Sequence, residues 1–212
     1  MRIDVISDVI CPWCFIGKRH METALSLLAE DGLTFTVGFR PFQLNPDMPE
    51  DGVAREQYRI KKFGSLERSQ ELDANVASAG LAAGIAFDFA RIQRTPNTAR
   101  ALRLVQLAGP AGVQHAVKEA LMAAYFLEGR DIAAADVLAD IAHAHSLDPA
   151  QIDTDTLRTE TTTLEDAARQ AGINGVPSFV MNGYLLFSGA MAPAAMADRF
   201  RHAHAFLSTR AA

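Results

Sequence analysis

The chain opens on Arg2-Ile3-Asp4-Val5-Ile6, a short run rich in β-branched residues that reads as a strand. A helical pattern follows. Met21, Ala24, Leu25 and Leu28 recur at the i, i+3, i+4, i+7 spacing of a buried face, and Asp31-Gly32 closes the segment after Ala29. Leu33, Phe35, Val37 and Phe39 then alternate with Thr34, Thr36 and Gly38, which predicts a second strand over 33–39. Beyond Arg40-Pro41-Phe42-Gln43-Leu44-Asn45-Pro46 the texture turns helical, with segments predicted over 53–62, 65–83, 97–108, 111–128, 134–146 and 155–171. Breakers fit the gaps: Gly64, Gly84, Thr95-Pro96, Gly109-Pro110, Gly129 and Asp148-Pro149. Strand character returns over 178–181 and 184–187, on either side of Asn182-Gly183, a pair that accepts the positive φ of a tight hairpin turn. A last helix is predicted over 193–207.

This order is strand–helix–strand, a helical insert, then helix–strand–strand–helix. It predicts one mixed sheet with helices on both faces. The first two strands must be parallel, because a helix crosses between them. No fixed repeat period runs through the insert, which argues against a solenoid.

Composition narrows the function. The formal charge is −5 and the basic residues are scattered rather than striped, so no phosphate-binding face is expected and nucleic acid is excluded as a partner. No apolar run reaches the ~18 residues a membrane helix needs. Asp4 and Asp8 interrupt any leader-like apolar segment after Met1, and the expectation is a cytoplasmic protein. The chain has 2 cysteines, Cys11 and Cys14, both in Cys11-Pro12-Trp13-Cys14. A loop closed by two intervening residues removes little unfolded-state entropy, so the pair is a poor staple and points to chemistry.

Two bland readings compete with a redox role. Zinc wants four ligands, and neither a second Cys-x-x-Cys nor a spaced His pair is present. His143 and His145 are two apart on a helix and face different ways, as do His202 and His204; no metal is expected. Inert buried thiols are the second reading. Against it, Cys11 follows a strand and opens a helix whose first turn holds Pro12. Cys11 would face unpaired backbone N–H groups, which favour a thiolate over a thiol. Cys14, a turn further in, would be more sheltered. The expectation is an exposed attacking sulfur and a buried resolving one. Val176-Pro177 precedes the apolar strand at 178–181. If that strand runs antiparallel to the first, Pro177 meets the end where Cys11 sits.

These stretches together resemble the DsbA family of thioredoxin-fold proteins. Ser7-Asp8-Val9-Ile10-Cys11-Pro12-Trp13-Cys14-Phe15-Ile16-Gly17-Lys18, Phe42-Gln43-Leu44-Asn45-Pro46-Asp47, Asn97-Thr98, Phe126-Leu127-Glu128-Gly129-Arg130-Asp131-Ile132 and Gly172-Ile173-Asn174-Gly175-Val176-Pro177-Ser178-Phe179 narrow the resemblance to the FrnE-like branch. It implies an α/β, thioredoxin-like fold with an inserted all-helical domain: residues 1–44 and 155–212 form the thioredoxin-like part and 45–154 the insert. It implies Cys11 as nucleophile, Cys14 as resolving thiol and Pro177 as a cis-proline beside them. The backbone of Val176 would pair with an extended substrate. The family often carries Ala-His-Arg-Leu after the Asn-Thr pair, whereas this chain has Ala101-Leu102-Arg103-Leu104, so a helix-borne imidazole is missing.

The remaining expectations concern the site's surroundings. Trp13, on a solvent-facing turn, would offer a stacking surface beside Pro12. Phe42 and Leu44 would floor a groove roofed by the insert. Met21, Met122, Met181, Met191 and Met196 read as packing residues, and His20 as a surface histidine. The function read from all this is a thiol–disulfide oxidoreductase of reductase or isomerase type. Its partners are protein or small-molecule thiols and disulfides, with no tightly bound cofactor and with glutathione as a candidate redox partner. The alternatives are a glutathione-dependent isomerase or transferase of the hydroxychromene-carboxylate isomerase or kappa-class type, and a non-enzymatic partner-binding module. The isomerase and transferase relatives generally carry Ser where Cys11 stands.

Overall fold

A computed structural model describes residues 1–209. Strand β1 (Arg2–Ser7) leads into helix α1 (Pro12–Glu30), and strand β2 (Thr36–Pro41) follows. The central part holds a short strand β3 (Val53–Ala54), helices α2 (Arg55–Phe63) and α3 (Leu66–Ala82), a short strand β4 (Arg94–Thr95), and helices α4 (Ala99–Leu107), α5 (Gln114–Phe126) and α6 (Ala135–Ala144). Helix α7 (Asp155–Gln170), the hairpin β5 (Ser178–Met181) and β6 (Tyr184–Ser188), and helix α8 (Pro193–Ser208) complete the chain. The main sheet has the order β2-β1-β5-β6. β1 is parallel to β2 and antiparallel to β5, with Ile6 opposite Ser178.

Three differences from the sequence pattern have plain causes. The second strand starts three residues later than its alternation suggests, because the N–H of Leu33 closes the end of α1 by bonding the carbonyl of Leu28 at 2.9 Å. It also runs on to Pro41, whose missing N–H is harmless at a strand end. The insert is not wholly helical: Val53 and Ala54 pair with Thr95 and Arg94 in a two-residue ladder, so α2 begins only at Arg55.

Alternation sorts the sheet into two faces. Ile3, Val5, Phe179 and Met181 are fully or almost fully buried and pack with α1 and α8, where Phe179 meets Phe200 at a ring distance of 6.0 Å. Ile6 and Val180 point the other way, and with Phe42 and Ile173 they pack on Ala168 of α7. The outer edge of β2 is blocked by side chains from the insert. Gln114 accepts from the Phe39 N–H at 2.8 Å and donates to the Phe39 carbonyl at 3.0 Å; Gln106 donates to the same carbonyl. An exposed edge would otherwise offer unpaired backbone groups to another chain. Aromatic rings tie the insert to α1: Phe15 lies 6.0 Å from Phe87 and 6.2 Å from Phe126.

Candidate active site

Cys11 ends the loop after β1 and is the N-cap of α1, with Pro12 in the first turn. Its backbone is extended (φ −91°, ψ 111°) and its side chain makes no capping bond. The sulfur instead donates to the carbonyl of Val176 at 3.6 Å. The Val176–Pro177 peptide bond is cis. The antiparallel register of β1 and β5 explains the meeting, since the residues just before Ser178 lie beside the residues just after Ile6. Gly17 of α1 makes room for the proline: a Cβ there would stand 3.0 Å from Pro177 Cγ. Gly17→Val is therefore expected to push Pro177 off the thiols and to cost about tenfold in exchange rate, with little loss of helix content. Circular dichroism beside stopped-flow kinetics checks both halves.

The expected split between an open and a sheltered sulfur takes a different form. Cys11 is 4% exposed and Cys14 2%, so both are buried. The insert and the Val176 loop cover the helix start, which the sequence pattern of α1 alone does not reveal. What separates the thiols is access. Cys11 lines a cavity of about 410 Å³ with Pro12 and Trp13, and Cys14 does not reach it. Trp13 is 42% exposed at the mouth. Leu44 lines the same cavity. Phe42 does not: it is buried under α7, with the Arg169 guanidinium 4.3 Å above its ring.

Two buried ionisable side chains, Asp8 and Lys118, lie near the dithiol without forming a salt bridge. Asp8 is wholly inaccessible and Lys118 of α5 is 1% exposed. One Asp8 oxygen accepts the Leu44 N–H at 2.8 Å, which pins the segment that lines the cavity. Burial raises Asp8 to about 6, against the opposing pull of Leu44, Lys118 and Thr98. Burial also lowers Lys118, opposed by Cys14, Asp8 and Cys11. The Lys118 ammonium makes no hydrogen bond and sits 5.3 Å from the Phe39 ring. Burial, and then the hydrogen bond and charge of Cys11, hold Cys14 well above the ordinary thiol range, while Lys118 draws it down. Neither role is legible in the pattern: Asp8 reads only as a charge that interrupts a leader-like segment, and Lys118 carries no signal of its own. The only available hint was a lysine flanked by Val117 and Leu121 on an apolar stripe.

Lys118→Met is expected to fold at least as stably, because it removes a buried ammonium without partners. It should slow attack by Cys14 on a mixed disulfide at Cys11 about tenfold, and move the pH midpoint of that step upward. Rapid mixing with a preformed mixed disulfide measures both, and an unchanged midpoint would mean that Lys118 is only a packing residue. His20, expected at the surface, is half-buried and its Nδ1 lies 2.8 Å from the Met191 carbonyl, tying α1 to the loop before α8. Among the described residues no three His, Cys, Asp or Glu side chains are grouped to hold a metal.

A cysteine pair at a helix start, one sulfur against a proline-bearing loop and the other behind it, has the chemistry for dithiol exchange, and this fold presents it as thioredoxin-fold thiol–disulfide oxidoreductases do. The chain belongs to the DSBA-like thioredoxin domain family, whose family model matches residues 2–201. It is similar to the probable DsbA oxidoreductase SCO1869 of Streptomyces coelicolor, with 28% identity, TM-score 0.86, and 97% of this chain and 90% of that one covered. It is 26% identical over 189 residues to the uncharacterized protein YwbO of Bacillus subtilis (strain 168), covering 85% of this chain and 86% of the relative. The fold also matches the cytosolic disulfide reductase DsbM of Pseudomonas aeruginosa, solved with GSH, at 17% identity and TM-score 0.60, with 99% and 98% of the two chains covered.

Proposed function

We propose that the protein is a disulfide reductase or isomerase in which Cys11 attacks the substrate disulfide and Cys14 resolves the mixed disulfide. The observation that carries this reading is the position of Cys11, which faces the cavity on one side and the Val176 carbonyl, 3.6 Å away, on the other. The substrate backbone runs beside Val176 and Pro177, and Pro12, Trp13 and Leu44 contact its side chains. Residues 1–44 with 155–212 are the redox part, and residues 45–154 the substrate-facing insert, in the manner of the FrnE-like branch.

The reaction has two steps. The Cys11 thiolate attacks one sulfur of the disulfide; the S–S bond breaks and the first substrate thiolate leaves. The Cys14 thiolate then attacks Cys11 Sγ, forming the Cys11–Cys14 disulfide and releasing the second thiolate. Two electrons pass from the protein to the substrate. The raised Cys14 protects the mixed disulfide from premature collapse until a proton is removed. Two cysteines in place of one serine weigh against the glutathione-dependent isomerase reading, and glutathione fits better as the redox partner. The reducing direction rests on a cytoplasmic location, where thiols are kept reduced.

Equilibration in glutathione buffers, with alkylation and mass spectrometry to count free thiols, tests the direction. The midpoint is expected near that of thioredoxins and glutaredoxins, about −270 to −200 mV. A midpoint near −120 mV, that of a strong oxidant, would reverse the proposed direction.

A further inference from the structure

We propose that helix α2 forms a carboxylate-recognising wall across the cavity from Cys11, so that the preferred substrates are small disulfides carrying negative charge. This rests on the reading of Cys11 as the nucleophile. The argument begins with what α2 is not. None of its residues is buried, so core packing does not dictate its sequence. Yet Arg55, Tyr58, Arg59, Lys62 and Phe63 all line the cavity. Their spacing is i, i+3, i+4, i+7, i+8, the face that a helix ordinarily fills with apolar residues. Here three of the five are cationic.

The charges do not cancel. Among the described residues, Asp73 of α3 is the only acidic one lining the cavity. Its two oxygens are divided, one to Arg55 at 2.9 Å and the other to Arg59 at 2.6 Å. Two guanidinium groups share one carboxylate, which leaves one positive charge over. Lys62 adds a second. Its ammonium contacts the Tyr58 hydroxyl at 2.6 Å, that hydroxyl donates to Asn45 Oδ1, and Lys62 has no ion-pair partner among the described residues.

The cations are also oriented. Arg59 lies 4.4 Å from the Phe63 ring centroid, Lys62 lies 5.1 Å from that of Tyr58, and Arg55 lies 5.4 Å from that of Phe89. Arg59 is further fixed by Ser69, at 2.7 Å to the hydroxyl. Such held guanidinium groups suit planar carboxylates. The rest of the lining is mainly apolar, including Leu44, Val76, Ile92 and Phe126. A volume of about 410 Å³ falls in the range of small-molecule sites. The matching ligand has a carboxylate on one arm, a compact body and a disulfide that reaches Cys11. The electrons come from the two protein thiols, as in the two steps above, and the carboxylate takes no part in the chemistry.

The test is a single-turnover experiment on the full chain, reduced beforehand and freed of reductant, with Trp13 fluorescence reporting oxidation. Three symmetric disulfides are compared: 3,3′-dithiodipropionate (two negative charges), hydroxyethyl disulfide (neutral) and cystamine (two positive charges). Each rate is divided by the rate with a small free thiol at the same pH, which removes intrinsic electrophilicity. The corrected rate for the dianion is expected to exceed that for the dication by at least ~10-fold at low salt. At ~1 M salt, where charges are screened beyond ~3 Å, the ratio should collapse toward one. Lys62→Glu, an exposed change on a helix without buried residues, should also bring it close to one at low salt. A ratio at or below one in the unaltered protein overturns the proposal, as does a ratio indifferent to both salt and Lys62→Glu. If none of the three disulfides oxidises the protein faster than the free thiol is oxidised, the exchange reading itself fails, and that outcome is distinct.

Discussion

Replacing Cys11 with serine is expected to lower disulfide exchange by at least ~10³-fold, because a hydroxyl cannot take the place of the attacking thiolate. Cys14→Ser should behave differently. Its first step is intact, so the variant should accumulate one equivalent of mixed disulfide on Cys11 and then stall. The asymmetry follows from the site: Cys11 lines the cavity, whereas Cys14 is buried behind it and held as a thiol. Mass spectrometry of each variant after brief exposure to a peptide disulfide checks this. If Cys14, rather than Cys11, carried the adduct, the assignment of roles would be reversed. If both variants retained full activity, the dithiol would be a bystander.

The second large effect is on stability. Asp8 is raised from 3.8 to about 6 in the folded protein, chiefly by burial. A carboxyl whose folded value lies above its unfolded one binds its proton more tightly when folded. The folded state is thus favoured at low pH and loses stability as pH rises from about 4 through 6. The gap corresponds to ~3 kcal/mol. Urea unfolding of the protein and of Asp8→Asn at pH 4 and pH 7 isolates the effect. The stability of the unaltered protein minus that of the variant should fall by ~2 kcal/mol between the two, because the unfolded carboxyl is already partly ionised at pH 4. Glu22 titrates in the opposite sense: burial would raise it, but His115, Lys18 and Arg19 bring it to about 2. Its contribution is lost as pH falls from about 4.5 toward 2, and it is common to both chains. A difference that is flat between pH 4 and pH 7 would mean that Asp8 is charged throughout, or that its oxygens reach water.

Much of this molecule is written in local pattern. Asn182 and Gly183 adopt φ of 49° and 84°, as a hairpin turn between two apolar runs requires. Pro12 opens α1 directly after Cys11, which is the arrangement that a proline after a strand-terminal cysteine suggests. The family resemblance adds Pro177, whose partner in space is 166 positions away in sequence. What local pattern leaves out is longer-range. The ends of β2 depend on where β1 and α1 stop. The β3–β4 ladder joins two dipeptides that carry no strand signal alone. Phe42 looks like a groove residue because it follows a strand end, but it turns under α7, where the Arg169 ring contact and the Glu165 bond to the Gln43 N–H hold that loop. Lys118 is an ordinary surface residue type far along the sequence from Cys11, and only the folded chain buries it and Asp8 together beside the dithiol.

The absence of any buried residue on α2 has an evolutionary consequence. Most substitutions that ruin a protein do so by disturbing its core or leaving a buried group unpaired. A helix that faces the reacting sulfur yet lends nothing to the core is released from that constraint. Its outward positions can change charge or size while the fold underneath stays stable, whereas Arg55 and Arg59 are held to Asp73. Lineages sharing this dithiol scaffold could therefore diverge in the molecules they accept by changes at α2 positions such as Lys62, which has no ion-pair partner among the described residues, without first acquiring compensating mutations elsewhere.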